Sequence, residues 1–237
     1  MTGTGTVDIR RAATRFHTRI DWLDSWHSFS FGNHYDPTNT HHGLLLVLND
    51  DRVAPGAGFG THSHRDMEIV TWVLDGRLEH RDSEGNHGVI EPGLAQRMSA
   101  GTGIRHSEMN ASATEPVHFL QMWVLPDTAG LRPGYEQQSV AAELASGGLV
   151  TVASGRDDGA VHINQRDAKL LIGRLSPSTS VDVPDAPHVH VFIARGSAEL
   201  EDAGVLDEGD AARLTAAGAR RLTAGANGAE VVIWATA

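Results

Sequence analysis

The stretch GTHSHRDMEIVTWVLDG, Gly60–Gly76, decides how this chain is read. His62 and His64 stand one residue apart, an apolar run of strand length follows, and Asp75-Gly76 closes it as a turn signal. Alternate residues of a strand face the same side, ~6.6–6.8 Å apart along the backbone, so two such imidazoles can converge on one ion. Further on, GTGIRHSEMN, Gly101–Asn110, repeats the device with His106 and Glu108 directly after a Gly-rich turn. If the two strands face each other across a barrel mouth, they supply three histidines and a carboxylate. Such a set leaves room on a five- or six-coordinate metal for water, substrate or dioxygen. Glu68, four residues beyond His64, is a second candidate carboxylate.

Working outward, the chain is built of similar short runs. HGLLLVLNDD (42–51), PVHFLQMWVLP (116–126), HVHVFIARGSAELED (188–202) and AEVVIWA (229–235) are separated by turn signals such as SEGN, EPG and SAGTG. No long, well-capped helical stripe interrupts them; YEQQSVAAELASGG (135–148) is the best candidate for a short helix or linker. This pattern predicts an all-β fold. Residues 62–76 and 188–202 share the order H-x-H, apolar strand, turn, second strand, and each is followed by a Gly-rich turn. The repeat predicts two tandem β-barrel domains, 1–137 and 138–237. The second copy keeps His188 and His190 but has Ala194 where a glutamate would stand, and its partner turn has no histidine. It is therefore expected to be a degenerate, metal-free copy whose two histidines lie at the surface or an interface.

Composition removes several classes. The 237 residues carry a formal charge of −11 and only one lysine, Lys169, which disfavours direct nucleic-acid binding. No apolar run approaches the ~18 residues of a membrane span, and the N-terminus lacks a secretory apolar stretch. The absence of cysteine excludes disulfides, thiolate metal sites and cysteine nucleophiles. A cytoplasmic protein is expected.

GAGFGTHSHRDME (56–68) resembles the first motif of the cupins, and GTGIRHSEMN resembles the second, with Gly103, His106 and Asn110 at its fixed positions. More narrowly, WLDSWHSFSFGNHYDP, THSHRDMEI, LEHRDSEGN, MSAGTGIRHSE and YEQQ resemble the pirin family, closely over the first ~140 residues and more loosely beyond. The resemblance implies two cupin (double-stranded β-helix, jelly-roll) barrels. It also implies a metal held by His62, His64, His106 and Glu108. Typical cupins would use Glu68 instead, but a straight strand carries it ~13 Å past His64, so Glu68 is expected to support the site rather than ligate.

The activity implied is that of a quercetin 2,3-dioxygenase, acting on a flavonol and O2 and releasing carbon monoxide, with Glu108 also taking the substrate proton. The resemblance favours Fe(II); Ni, Co, Mn, Cu or Zn would suit the same donors, and Zn lacks redox chemistry. The alternative it implies is a non-catalytic, redox-responsive metal protein acting through protein partners. Several other side chains have open roles. His80 either orients the site or is a solvated hairpin residue. His118 and Gln121 lie on opposite strand faces, so one of them at most sees the pocket. Trp26, Phe29 and Phe31 are read as packing, Met98, Met122 and Trp123 as either lining or core, and Arg65 and Arg105 as anion holders or surface ion-pair partners.

Overall fold

A computed structural model describes residues 5–237; residues 1–4 of the expected first domain lie outside it. Only two short helices occur among these residues, Ala12–Thr14 and Ala141–Leu144, so no helix is long and apolar enough to cross a membrane. Everything else regular is strand.

The first half is a barrel made of two sheets. Its larger sheet has seven strands, in spatial order Gly134–Ser139, Leu94–Ser99, Glu68–Asp75, Val117–Val124, Leu45–Val53, Leu23–His27 and Phe16–Ile20. Facing it are four strands, Gly58–His64, Ile104–Asn110, Leu78–Asp82 and His87–Ile90. The second half forms one nine-stranded sheet around the long strands His188–Leu200 and Arg220–Thr236. The strand Thr6–Arg10 leaves the first half and pairs with Ala211–Thr215 of the second, covering an edge that would otherwise be open. The expected boundary after residue 137 falls inside the strand Gly134–Ser139, which pairs with Leu94–Ser99. The stretch read as helix or linker is thus half strand, followed by the four-residue helix Ala141–Leu144.

The long apolar runs are explained by burial on both faces. In the strand Glu68–Asp75, Val70, Trp72 and Leu74 join a core that also contains Val152, Phe192 and Trp234 of the second half. Ile69 and Val73, of opposite parity, face the first barrel's interior. The neighbouring strand repeats this division: Leu120 and Met122 point to the second half, and Phe119 points inward. Polar links cross the same interface. The Trp72 indole N–H donates to Glu230 at 2.8 Å, and the Trp234 indole N–H meets the Met122 sulfur at 3.2 Å. Trp72 is fully buried. Trp72→Ala is therefore expected to cost ~3–5 kcal/mol, through the cavity and the lost partner of Glu230. Denaturant unfolding of wild type and variant measures it.

Candidate metal centre

Histidines 62 and 106 lie directly opposite each other on the paired strands Gly58–His64 and Ile104–Asn110. Between Phe59 and His62, the partners of Glu108 and His106, the first strand carries one extra residue, while Ile104–Asn110 stays regular against Leu78–Asp82. The bulge therefore lies at Gly60–Thr61, and Glu108 keeps the inward face of His106. His62, His64 and His106 each offer a ring nitrogen, and these atoms lie within 4.8 Å of one another. It is the one group of three or more His, Asp or Glu side chains so arranged among the described residues.

The ring nitrogens are set up to donate electron pairs. His62 Nδ1–H donates to the Gly60 carbonyl at 2.8 Å, which leaves its Nε2 lone pair free. Nε2 of His64 and of His106 is buried with no hydrogen-bond partner, an arrangement that costs free energy unless something occupies the space between them. Burial, then the neighbouring His62, pushes His64 down to about 4. His106 is pushed lower still, by burial and then by His62, His64 and His80. Both rings are thus neutral at pH 7, the form a metal requires. On these observations the residues fit a divalent ion.

His80 resolves to the orienting role. It is fully buried, and its Nε2–H donates to Asp82 at 3.2 Å. Its Nδ1 approaches Nδ1 of His106 at 3.5 Å, and the Tyr135 ring packs beside it. With Asp82 fixing the tautomer, His80 can accept from His106 Nδ1–H and turn His106 Nε2 toward the other two rings.

The carboxylates separate. Glu108 is buried and lines the same cavity as His62 and His64, but it is not in the 4.8 Å group; the Gln121 amide donates to it at 2.7 Å. Burial raises its carboxyl to about 7, with Gln121 pulling the other way. Glu68 faces away from the site: it accepts from Ser99 at 2.8 Å and from the Asn164 backbone at 3.0 Å, joining the two halves. Of the pair 118 and 121, Gln121 sees the pocket, while His118 meets Asp50 at 2.6 Å. Arg65 and Arg105 flank an open groove and make no ion pair among the described residues, unlike the surface pairing weighed for them. His190 is buried at the interface of the halves, beside Phe29 and His42, and is cross-strand from Arg213.

The cavity, about 700 Å³, lies between the two sheets of the first barrel. Trp22, Phe59 and Trp123 line it, and so does Phe31, which the sequence placed in mere packing. The sequence reading missed the opposite wall. Ser25 and Asp51 are cross-strand partners, as are His27 and Asn49, and all four face the cavity. The Ser25 hydroxyl donates to Asp51. Asp51 is raised to about 7 by burial, against the Ser25 hydrogen bond, with Asp50 and Glu108 adding to the rise. The signal was available: Asn49 and Asp51 share one face of an apolar run, where polar side chains need a reason.

A carboxyl favoured in its protonated form stabilises the fold below its ordinary pKa, near 3.8, and loses that contribution as pH rises through about 7. Asp51→Asn, which keeps an acceptor for Ser25 but cannot charge, should therefore gain stability over wild type by a few kcal/mol, roughly, between pH 5 and pH 8. Thermal unfolding of the metal-free proteins at the two pH values checks it.

A bicupin whose first barrel carries a three-histidine centre opening into an aromatic cavity is the class that this fold and site define. Comparison with known proteins gives the family. The Pirin family model matches residues 7–124, and the model for the quercetinase C-terminal cupin domain matches residues 150–234. The chain belongs to the pirin family. It is 60% identical over 98% of its length, and 95% of the relative's, to a Mycobacterium tuberculosis protein provisionally named a quercetin 2,3-dioxygenase. It is also 47% identical, over 67% of its length and 68% of the relative's, to the Escherichia coli quercetin 2,3-dioxygenase. Among solved structures, bacterial pirin YhhW of Escherichia coli in complex with nickel(II) superposes with a TM-score of 0.88, at 36% identity over 97% of this chain and 98% of that one.

Proposed function

We propose that this protein is a divalent-metal-dependent dioxygenase that opens flavonols such as quercetin with O2 and releases carbon monoxide. The observation that carries the reading is the three-histidine centre, with two orphaned buried nitrogens, beside a cavity lined by Trp22, Phe31, Phe59 and Trp123 that also holds the buried carboxyl of Glu108. His62, His64 and His106 would hold the ion, with Glu108 completing the set. Bound there, a divalent transition metal supplies Lewis acidity and, where redox-active, electron exchange with dioxygen. Fe(II) is the proposed native ion on the family resemblance, and the nickel(II) complex of the Escherichia coli pirin supports a divalent ion in general.

The chain's own residues do the rest. Trp22, Phe59 and Trp123 offer apolar surface to a flat ring system and keep water from it. Glu108, buried beside the histidine centre on the same cavity, accepts the proton of the substrate hydroxyl. Loss of that proton makes the ring electron-rich, as reaction with dioxygen demands. The Gln121 amide holds the carboxylate in place through the transfer. Gln121 is itself steadied by the Trp123 indole N–H, which donates to it at 3.1 Å.

The test is reconstitution. Metal-free protein is loaded in turn with Fe(II), Ni, Co, Mn, Cu and Zn, and quercetin absorbance is followed in air. Turnover with a redox-active ion and none with Zn supports the proposal. No turnover with any ion, despite stoichiometric binding, would instead favour a metal-bound regulator.

A further inference from the structure

The cavity holds a polar row that the proposed reaction does not use. Thr18, His27 and His34 line the same cavity as His62 and His64 and are tied into a single hydrogen-bonded row. Its direction is fixed from one end. His27 Nδ1–H donates to the Asn49 side-chain carbonyl at 2.8 Å, so His27 Nε2 accepts from the Thr18 hydroxyl at 2.9 Å. With its proton so used, Thr18 Oγ1 accepts from His34 Nε2–H at 3.0 Å. His34 Nδ1 is then left as an acceptor that no group among the described residues fills.

This row is rigidly seated. Thr18 and Ser25 are cross-strand partners, as are His27 and Asn49. His34 is pinned by a pair of 3.0 Å backbone hydrogen bonds with Phe31 and by stacking on Phe16. Aromatic contacts lead from it to the metal histidines: Phe31 stacks on His27, meets Trp123 edge-on at 5.5 Å, and Trp123 meets His64 edge-on at 5.0 Å. An aromatic wall thus runs from the row to the histidine centre, with Ser25, Asp51, Glu108 and Gln121 as further polar groups on the same cavity.

We propose that Thr18, His27 and His34 form a second ligand subsite, which binds hydroxyl groups on the distal ring of a flat aromatic substrate whose other end faces the histidine centre. The inference rests on the flavonol reading above and adds which flavonols the site prefers. The chemistry of the row selects a neutral donor. Burial favours the neutral form of His27, and in the hydrogen-bond direction set by Asn49 the open lone pair of His34 would repel a carboxylate. A phenolic O–H donates to that lone pair, and the row behind it polarises in the same sense.

The test is an anaerobic titration of the nickel(II)-loaded protein, in which binding is read without turnover. The probes are quercetin and galangin, the same flavonol lacking distal-ring hydroxyls. Wild type is expected to bind quercetin roughly three- to tenfold more tightly, the worth of one net hydrogen bond. In His34→Phe, which keeps the stacking and removes the acceptor, the ratio falls toward one. In His34→Gln, which restores an acceptor oxygen, part of the ratio returns. Thr18→Val breaks the row from its other side and should lower the ratio as well. Equal binding of the two flavonols by wild type, or a ratio unchanged in His34→Phe and Thr18→Val, overturns the subsite and leaves the flavonol reading standing. If wild type binds neither flavonol, the flavonol reading fails and the subsite fails with it.

Discussion

His106→Ala is expected to strip the protein of its metal and, with it, of all flavonol turnover. His106 is the only one of the three histidines on its strand, and it lies directly across from His62. Without it the group falls to the H-x-H pair, and two imidazoles hold a divalent ion weakly. Changing a group that merely supports a ligand costs about 10–100-fold in metal affinity; losing the ligand itself should cost more than about 100-fold. The metal-free variant should stay folded: His106 Nε2 has no partner to strand, and only the 3.5 Å contact to His80 Nδ1 is lost. Metal content after dialysis, together with a thermal unfolding curve, separates loss of the site from loss of the fold.

Glu108→Gln should have the next largest effect, and of a different kind. The substitution preserves volume and keeps an oxygen for the Gln121 amide, so packing around the buried side chain is retained. What disappears is the proton acceptor, and positioned acid–base groups are worth about 10²–10⁴ in rate. Turnover at saturating metal and quercetin should fall by that factor. Metal affinity should weaken as well, since an amide oxygen is a poorer ligand than a carboxylate. Steady-state rates at several metal concentrations distinguish the two effects: a defect cured by excess metal would make Glu108 a ligand only, and the base would have to be sought elsewhere.

These two residues show how much of the site could be read from the chain. Period-2 alternation alone placed His62 with His64 and His106 with Glu108, and the Gly-rich turn before Ile104 marked where the second strand begins. Distance along the strand, not alternation, demoted Glu68, which shares the parity of His64 and which the fold spends on Ser99 and Asn164. Alternation could not reveal the bulge at Gly60–Thr61, because a bulge is defined by the partner strand and not by the strand itself. Nor could it reveal that His80 is buried, since LEHRD reads equally well as an exposed hairpin. The tie to His106 depends on strands brought together from residues 78–82 and 104–110.

The two-barrel architecture was legible from the repeated H-x-H and turn pattern. The exchange of Thr6–Arg10 into the second half was not, because a short strand carries no signal of which sheet it will join. The far wall of the cavity was hidden for a related reason. Thr18, His27 and Asn49 lie on three strands and His34 in a loop, so only register brings them into one row.

A carbon-monoxide-releasing dioxygenase at this centre is tested most directly by the carbon monoxide released per quercetin consumed, by metal-loaded wild type under oxygen, with His106→Ala as control. Wild type is expected to release one carbon monoxide per quercetin, and the variant none. Quercetin loss without carbon monoxide, or equal release by the variant, would contradict it.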